Sequence, residues 1–213
     1  EIHSGDWSSD VCSSDLIVLI DEIPWGEIRD EELQNRCENR DLAWLEQRLR
    51  RVLYQWDHFQ VDMVVPPVFR INKKIISTGI GIEVQETQLK GDTGTYIAAH
   101  EYTDQLSTGE DLEKIELPTL TYDRKNTERE MDIANDIFHG LLPVESVGTT
   151  ISYHIWDRIA VYRGVDNLLI DLAARPDFMH RTARKFADVC AAMITQLLEQ
   201  NLLETQPLLL HCT

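Results

Sequence analysis

Four apolar runs constrain this chain more than anything else in it: IVLI (Ile17–Ile20), VDMVV (Val61–Val65), LLPVESVG (Leu141–Gly148) and LLLH (Leu208–His211). Each is short and lacks polar alternation, the pattern of a strand buried on both faces, which belongs to a parallel sheet. Parallel neighbours cannot be joined by a tight turn and need crossovers, usually helical. The intervals between the runs supply them. Leu42, Leu45, Leu49, Val52, Leu53 and Trp56 recur at helical spacing and predict a helix over 41–56, capped by Asn39 or Asp41. Met131, Ile133, Ala134 and Ile137 predict another over 126–138. After the third run come helices over 165–174 and, from a first-turn Pro176, over 176–201. Ser107-Thr108-Gly109-Glu110 fits a capping box opening a short helix through Ile115. The Gly-punctuated stretch from Lys73 to Ala99 reads as an antiparallel excursion. The fold class is therefore α/β, built from β/α units. Gly79-x-Gly81 lacks a third glycine and a following helix, so no dinucleotide-binding turn is present.

The formal net charge is −17 and the pI about 4.7. Such a field repels nucleic acid and anionic lipid, excluding both as partners. No apolar run approaches the ~20 residues of a membrane helix. Cys12, Cys37, Cys190 and Cys212 are far apart with no C-x-x-C pair, which reads as reduced thiols in a cytoplasmic protein.

In β/α folds, ligands sit where parallel strands give way to loops. After the first run come Asp21, Glu22 and Trp25; Asp62 lies within the second; Gly148, His154, Trp156 and Asp157 follow the third; His211 ends the fourth. Asp21 and Glu22 either cap a turn or face a ligand. An ionised Asp62 inside an apolar run must be partnered, exposed or functional. His154 and Trp156 also suit ordinary loop packing. His211 and Cys212, adjacent on a strand, point to opposite faces and do not chelate one ion together. His58, His100, His139 and His180 carry no chemistry in this reading.

Several stretches taken in order resemble the uroporphyrinogen decarboxylase superfamily: IVLIDEIPW, EQRLRRVLYQWDHF with VDMVVPP, PTLTYD at Pro118–Asp123, and VYRGVDNLLIDLAARPDFMHRTARKFADV with its Arg-Pro-Asp junction. The resemblance implies a (β/α)8 TIM barrel, with Asp62 as the catalytic carboxylate that steadies positive charge as a substrate carboxylate is lost. It implies a tetrapyrrole substrate. In the methyltransferase branch it implies a corrinoid, or a corrinoid protein as partner, with zinc activating a thiol. Asp21, Glu22, Trp25, Gly148, His154, Trp156, Asp157 and His211 take substrate-binding places. The decarboxylases' arginine-rich signature is replaced here by DEIPW, and an acidic mouth disfavours a polycarboxylate porphyrinogen. Alternatives are therefore methyl transfer between corrinoid and thiol, and a non-catalytic corrinoid-binding protein or inactive fragment.

A (β/α)8 barrel takes about 250 residues, so residues 17–213 are expected to be a partial barrel, roughly its N-terminal half. Asp6–Leu16 match the in-frame translation of a common sequencing adapter. Residues 1–16 are accordingly expected to be adapter-derived and to pack on nothing.

Overall fold

The computed structural model describes residues 18–20, 23–89, 99–151 and 153–204. Residues 1–16, the start of the first apolar run at Ile17, Asp21, Glu22, and the fourth run with His211 lie outside the described residues. The described chain divides into two compact units, one of residues up to 66 and one from 67 onward.

The first unit is organised by one helix, α1 (Ala43–His58). Asn39 Oδ1 accepts the Asp41 N–H at 3.0 Å and opens a 3-10 turn, Arg40–Leu42, that runs into it. Glu46 ties the preceding loop to the helix. Its carboxylate accepts the backbone N–H groups of Arg36 and Cys37, at 2.9 and 2.8 Å, and the Arg50 Nε–H at 2.8 Å. Those backbone donors, with Arg50, hold its pKa at about 2, well below 4.5. The two apolar runs of this unit correct the sequence reading: neither Val18–Ile20 nor Val61–Val65 forms a strand. A strand needs a ladder partner, and none pairs with them among the described residues. The Pro66-Pro67 pair removes donors and restricts the residue before it. Val64 and Val65 are exposed.

The second unit runs β1 (Phe69–Asn72), β2 (Ile75–Ser77), β3 (Glu86–Leu89), β4 (Ala99–Tyr102), α2 (Gly109–Leu112), β5 (Leu120–Tyr122), α3 (Arg124–Phe138), β6 (Val144–Val147), α4 (Ile155–Arg163), α5 (Val165–Ala174) and α6 (Pro176–Glu199). It is mixed α/β. β1 and β6 pair in parallel, Phe69 opposite Val144. α3 lies between them in the chain and packs on both, with the Phe69 and Phe138 rings 4.7 Å apart. β2 pairs antiparallel with β5, and β3 with β4, so the excursion after Lys73 is antiparallel as its alternation suggests. Beyond α6 the chain returns beside the end of β6, where Thr149 and Leu203 form a parallel bridge.

Local sequence explains most helix ends. Asp123 caps α3 by accepting the Asn126 N–H, and Thr127, buried in that first turn, accepts the Lys74 N–H at 2.9 Å and so fixes α3 against β2. The capping box of α2 is Thr108 with Asp111, one residue later than Ser107-x-x-Glu110. α4 is a helix where the sequence suggested a loop. The core between the α4–α6 bundle and the excursion is Leu106, Ile159, Tyr162, Met179, Phe186 and Val189. α6 also covers the β5 edge. Gln196 Oε1 accepts the Leu120 N–H at 2.8 Å, and Gln200 Nε2 donates to the Leu120 carbonyl at 2.9 Å, satisfying groups that an edge strand would otherwise leave bare.

Two of these capping carboxylates set the acid limb of stability. Glu46 titrates at about 2 instead of 4.5. Asp111, bonded first to Lys114 and then to Thr108, titrates at about 2 instead of 3.8. Both folded values are depressed, so the unfolded chain binds more protons between them and the ordinary values, and stability falls as pH falls through that window. Urea midpoints measured from pH 5 down to about 2 are expected to drop. Glu46→Gln is expected to flatten the drop; an unchanged slope would show that the Glu46 cap is not formed in solution.

Candidate functional site

The sequence-derived candidates divide between the two units. In the first, Asp62 is half-buried, and its Oδ2 accepts the Val18 N–H at 2.9 Å. That bond links the two apolar runs, while the Gln55 side chain from α1 donates to the Ile20 carbonyl at 2.6 Å. Asp62 therefore has the partner that its setting demands. Trp25 opens a tight turn, its N–H donating to the Ile23 carbonyl at 2.8 Å. Its indole stands edge-on to Tyr54, centroids 6.2 Å apart, with the Arg51 guanidinium 5.4 Å from the ring centre. Arg51 is a residue that sequence reasoning missed. The DEIPW stretch carries no arginine of its own, but α1 delivers one to it. The only signal was that Arg51 and Gln47 lie one turn apart on a single helix face.

In the second unit, Gly148 meets a steric demand. A Cβ there would stand 2.3 Å from the Leu203 carbonyl carbon and 2.4 Å from the Glu204 nitrogen. The residue is glycine because the returning chain runs directly against it. Next to it, Thr149 donates its N–H to Leu202 and accepts from Glu204, at 2.7 and 3.0 Å. His154, Trp156 and Asp157 stand at the start of α4, and all three are exposed. His154 is the N-cap residue, its carbonyl accepting the Arg158 N–H at 3.0 Å. Asp157, in the first turn, complements the helix dipole. Asp21, Glu22 and His211 lie outside the described residues.

Among the described residues, buried charge gathers at a cluster that the sequence reading did not single out. Arg163, at the end of α4, and Asp171, in α5, are 7% and 3% exposed. Arg163 Nε donates to Asp171 Oδ2 at 2.9 Å; Arg175 donates from Nε to Oδ1 at 2.7 Å and from Nη2 to Oδ2 at 2.6 Å. Arg163 also pairs with Asp104, and Arg175 Nη1 donates to the Ser107 carbonyl at 2.9 Å. The Arg175 hydrogen bonds, with those of Arg163, pull the Asp171 carboxyl below its ordinary range against the opposing effect of burial. Every charge in the cluster is answered within it, so it has no group left for acid–base work. Its chemistry is positional: it locks the ends of three helices to the 104–107 segment.

Among the described residues, no three His, Cys, Asp or Glu side chains gather as a metal set. No helix among them is long and apolar enough to cross a membrane.

No family model, curated protein or solved structure matches this chain.

Two substitutions test that geometry. Asp171→Asn leaves Arg175 without a carboxylate and Arg163 with Asp104 alone, and is expected to cost about 3–5 kcal/mol in urea unfolding; a loss below about 1 kcal/mol would mean the cluster is solvated. Gly148→Ala forces backbone apart and is expected to cost about 1–3 kcal/mol. An unchanged midpoint would place Leu203 away from Gly148.

Proposed function

We propose that residues 17–213 are the N-terminal half of a (β/α)8 barrel of the uroporphyrinogen decarboxylase type, part of an enzyme acting on a tetrapyrrole or corrinoid-linked substrate by decarboxylase-type carbon–carbon cleavage. The observation that carries this reading is a pair of successive parallel returns. The chain passes from β1 through the β2–β5 excursion with α2, and then α3, to β6, and from Thr149, just past β6, through α4, α5 and α6 to a single parallel bridge at Leu203. Strand, helical crossover and parallel strand, repeated, is the unit of such barrels. The resemblance of the DEIPW, VDMVVPP and VYRGVDNLLIDLAARPD stretches supplies the family.

In this mechanism a substrate carboxylate leaves as carbon dioxide, and the electron pair it leaves behind is taken up by a protonated pyrrole-type ring. Asp62, with Oδ2 fixed by the Val18 N–H, stabilises the positive charge of that ring. Methyl transfer between corrinoid and thiol is the second reading, favoured by one observation: DEIPW puts carboxylates where a porphyrinogen's acidic arms would need cations. Either reading places the protein in the reducing cytoplasm, with a small tetrapyrrole or a corrinoid protein as partner.

The test is an anaerobic assay of the complete protein with uroporphyrinogen, following carbon dioxide release, and in parallel with methylcobalamin and a small thiol, following loss of the cobalt–methyl absorbance. Activity in the first with an Asp62→Ala variant slowed about a hundredfold or more supports decarboxylation. Activity only in the second supports methyl transfer. Full turnover by Asp62→Ala removes Asp62 from the mechanism, and inactivity in both assays overturns the reading.

A further inference from the structure

The cleft beside Trp25 carries an inference that goes beyond this activity and does not rest on it. The cleft lies wholly within the first unit and measures about 390 Å³, within the range of small-molecule sites. It takes one ring system, not a four-ring macrocycle. Trp25 forms one side, Gln47 and Arg51 reach in from α1, and Arg29, Asp30 and Glu31 come from the segment before the helix.

These groups are not equivalent. Asp30 is already used: its Oδ1 accepts the Glu32 N–H at 3.0 Å and caps the 3-10 turn at Glu31–Leu33. Among the described residues Arg51 has no ion pair; its guanidinium lies against the Trp25 indole instead. In a chain of net charge −17, a half-buried arginine without a carboxylate is an unusual vacancy for an anion. Its planar fork matches a carboxylate, and the neighbouring indole offers a flat apolar surface to an aromatic ring. Gln47 adds an amide donor. Asp30 and Glu31 on the same lining penalise a second negative charge on the ligand.

We propose that this cleft binds small planar aromatic monocarboxylates, the ring packed on Trp25 and the carboxylate held by Arg51. Neither the Asp62 chemistry nor the barrel reading enters the argument, so the two can fail separately.

Isothermal titration of the full chain with sodium benzoate, its neutral isostere benzamide and the dianion phthalate tests the assignment. Saturable benzoate binding is expected, with benzamide about tenfold weaker for want of the charge-assisted bond, and phthalate no tighter than benzoate. Arg51→Gln is expected to erase the preference for benzoate over benzamide, while Trp25→Leu weakens both. Arg51→Lys, which keeps the charge without the fork, is expected to retain the preference at lower affinity and serves if Arg51→Gln fails to fold by circular dichroism. Non-saturable benzoate binding, equal affinity for benzamide, or a preference that survives Arg51→Gln overturns the proposal.

Discussion

Asp171 is buried with two guanidiniums on it, and the helical part of the second unit is arranged around that carboxylate. α4, α5 and α6 follow one another with single-residue breaks at Gly164 and Arg175. Breaks that short leave the chain little slack, so the directions of three helices are set by whatever holds their junctions. Gly164 adopts φ +78°, open to glycine at low cost, and turns the chain out of α4. Arg163 immediately before it, and Arg175 at the next break, then converge on Asp171. Buried ion pairs add little net stability relative to apolar packing, yet breaking one strands a charge. The cluster therefore selects one arrangement of the helices more than it strengthens any.

The same unit depends on close backbone approach at its sheet. β6 can receive the returning chain after α6 only because Gly148 has no side chain for Leu203 and Glu204 to meet. Gln196 and Gln200 satisfy the β5 edge from α6, and Thr127 closes the gap between α3 and Lys74. Polar side chains at element junctions thus do here what longer sheet ladders do elsewhere, since the described strands have only three or four residues each.

Legibility in the sequence followed the range of the interaction. The helices over α1, α3, α5 and α6 could be read because side-chain period and capping chemistry act within a few residues: Val165–Ala174 begins and ends where its sequence pattern does. The Asp171–Arg175 spacing of four was equally local. The strand reading failed at Val18–Ile20 and Val61–Val65 because apolar character makes a run willing to be buried but does not supply a ladder partner. It missed β1, whose FRIN sequence looks unremarkable until Val144–Val147 lies beside it. Of the candidate residues, Asp62 makes a backbone bond to Val18 and Trp25 an aromatic contact with Tyr54. Gly148 meets the returning chain at Leu203 and Glu204, a contact that its own stretch of sequence does not announce. Arg51 and Arg163 were missed because their partners are distant in sequence or lie on another element.

The sequence by itself determined where the long helices run, how they are capped, and the acidity of the surface, because each of these is fixed by neighbours along the chain. Only the tertiary structure decided which apolar runs become strands, that β1 and β6 lie parallel across α3, that Arg163 and Asp171 share a buried cluster, and that Arg51 rests on Trp25. Those outcomes require residues far apart in sequence to meet. Their energies come from desolvation and pairing that do not exist until the chain has closed on itself.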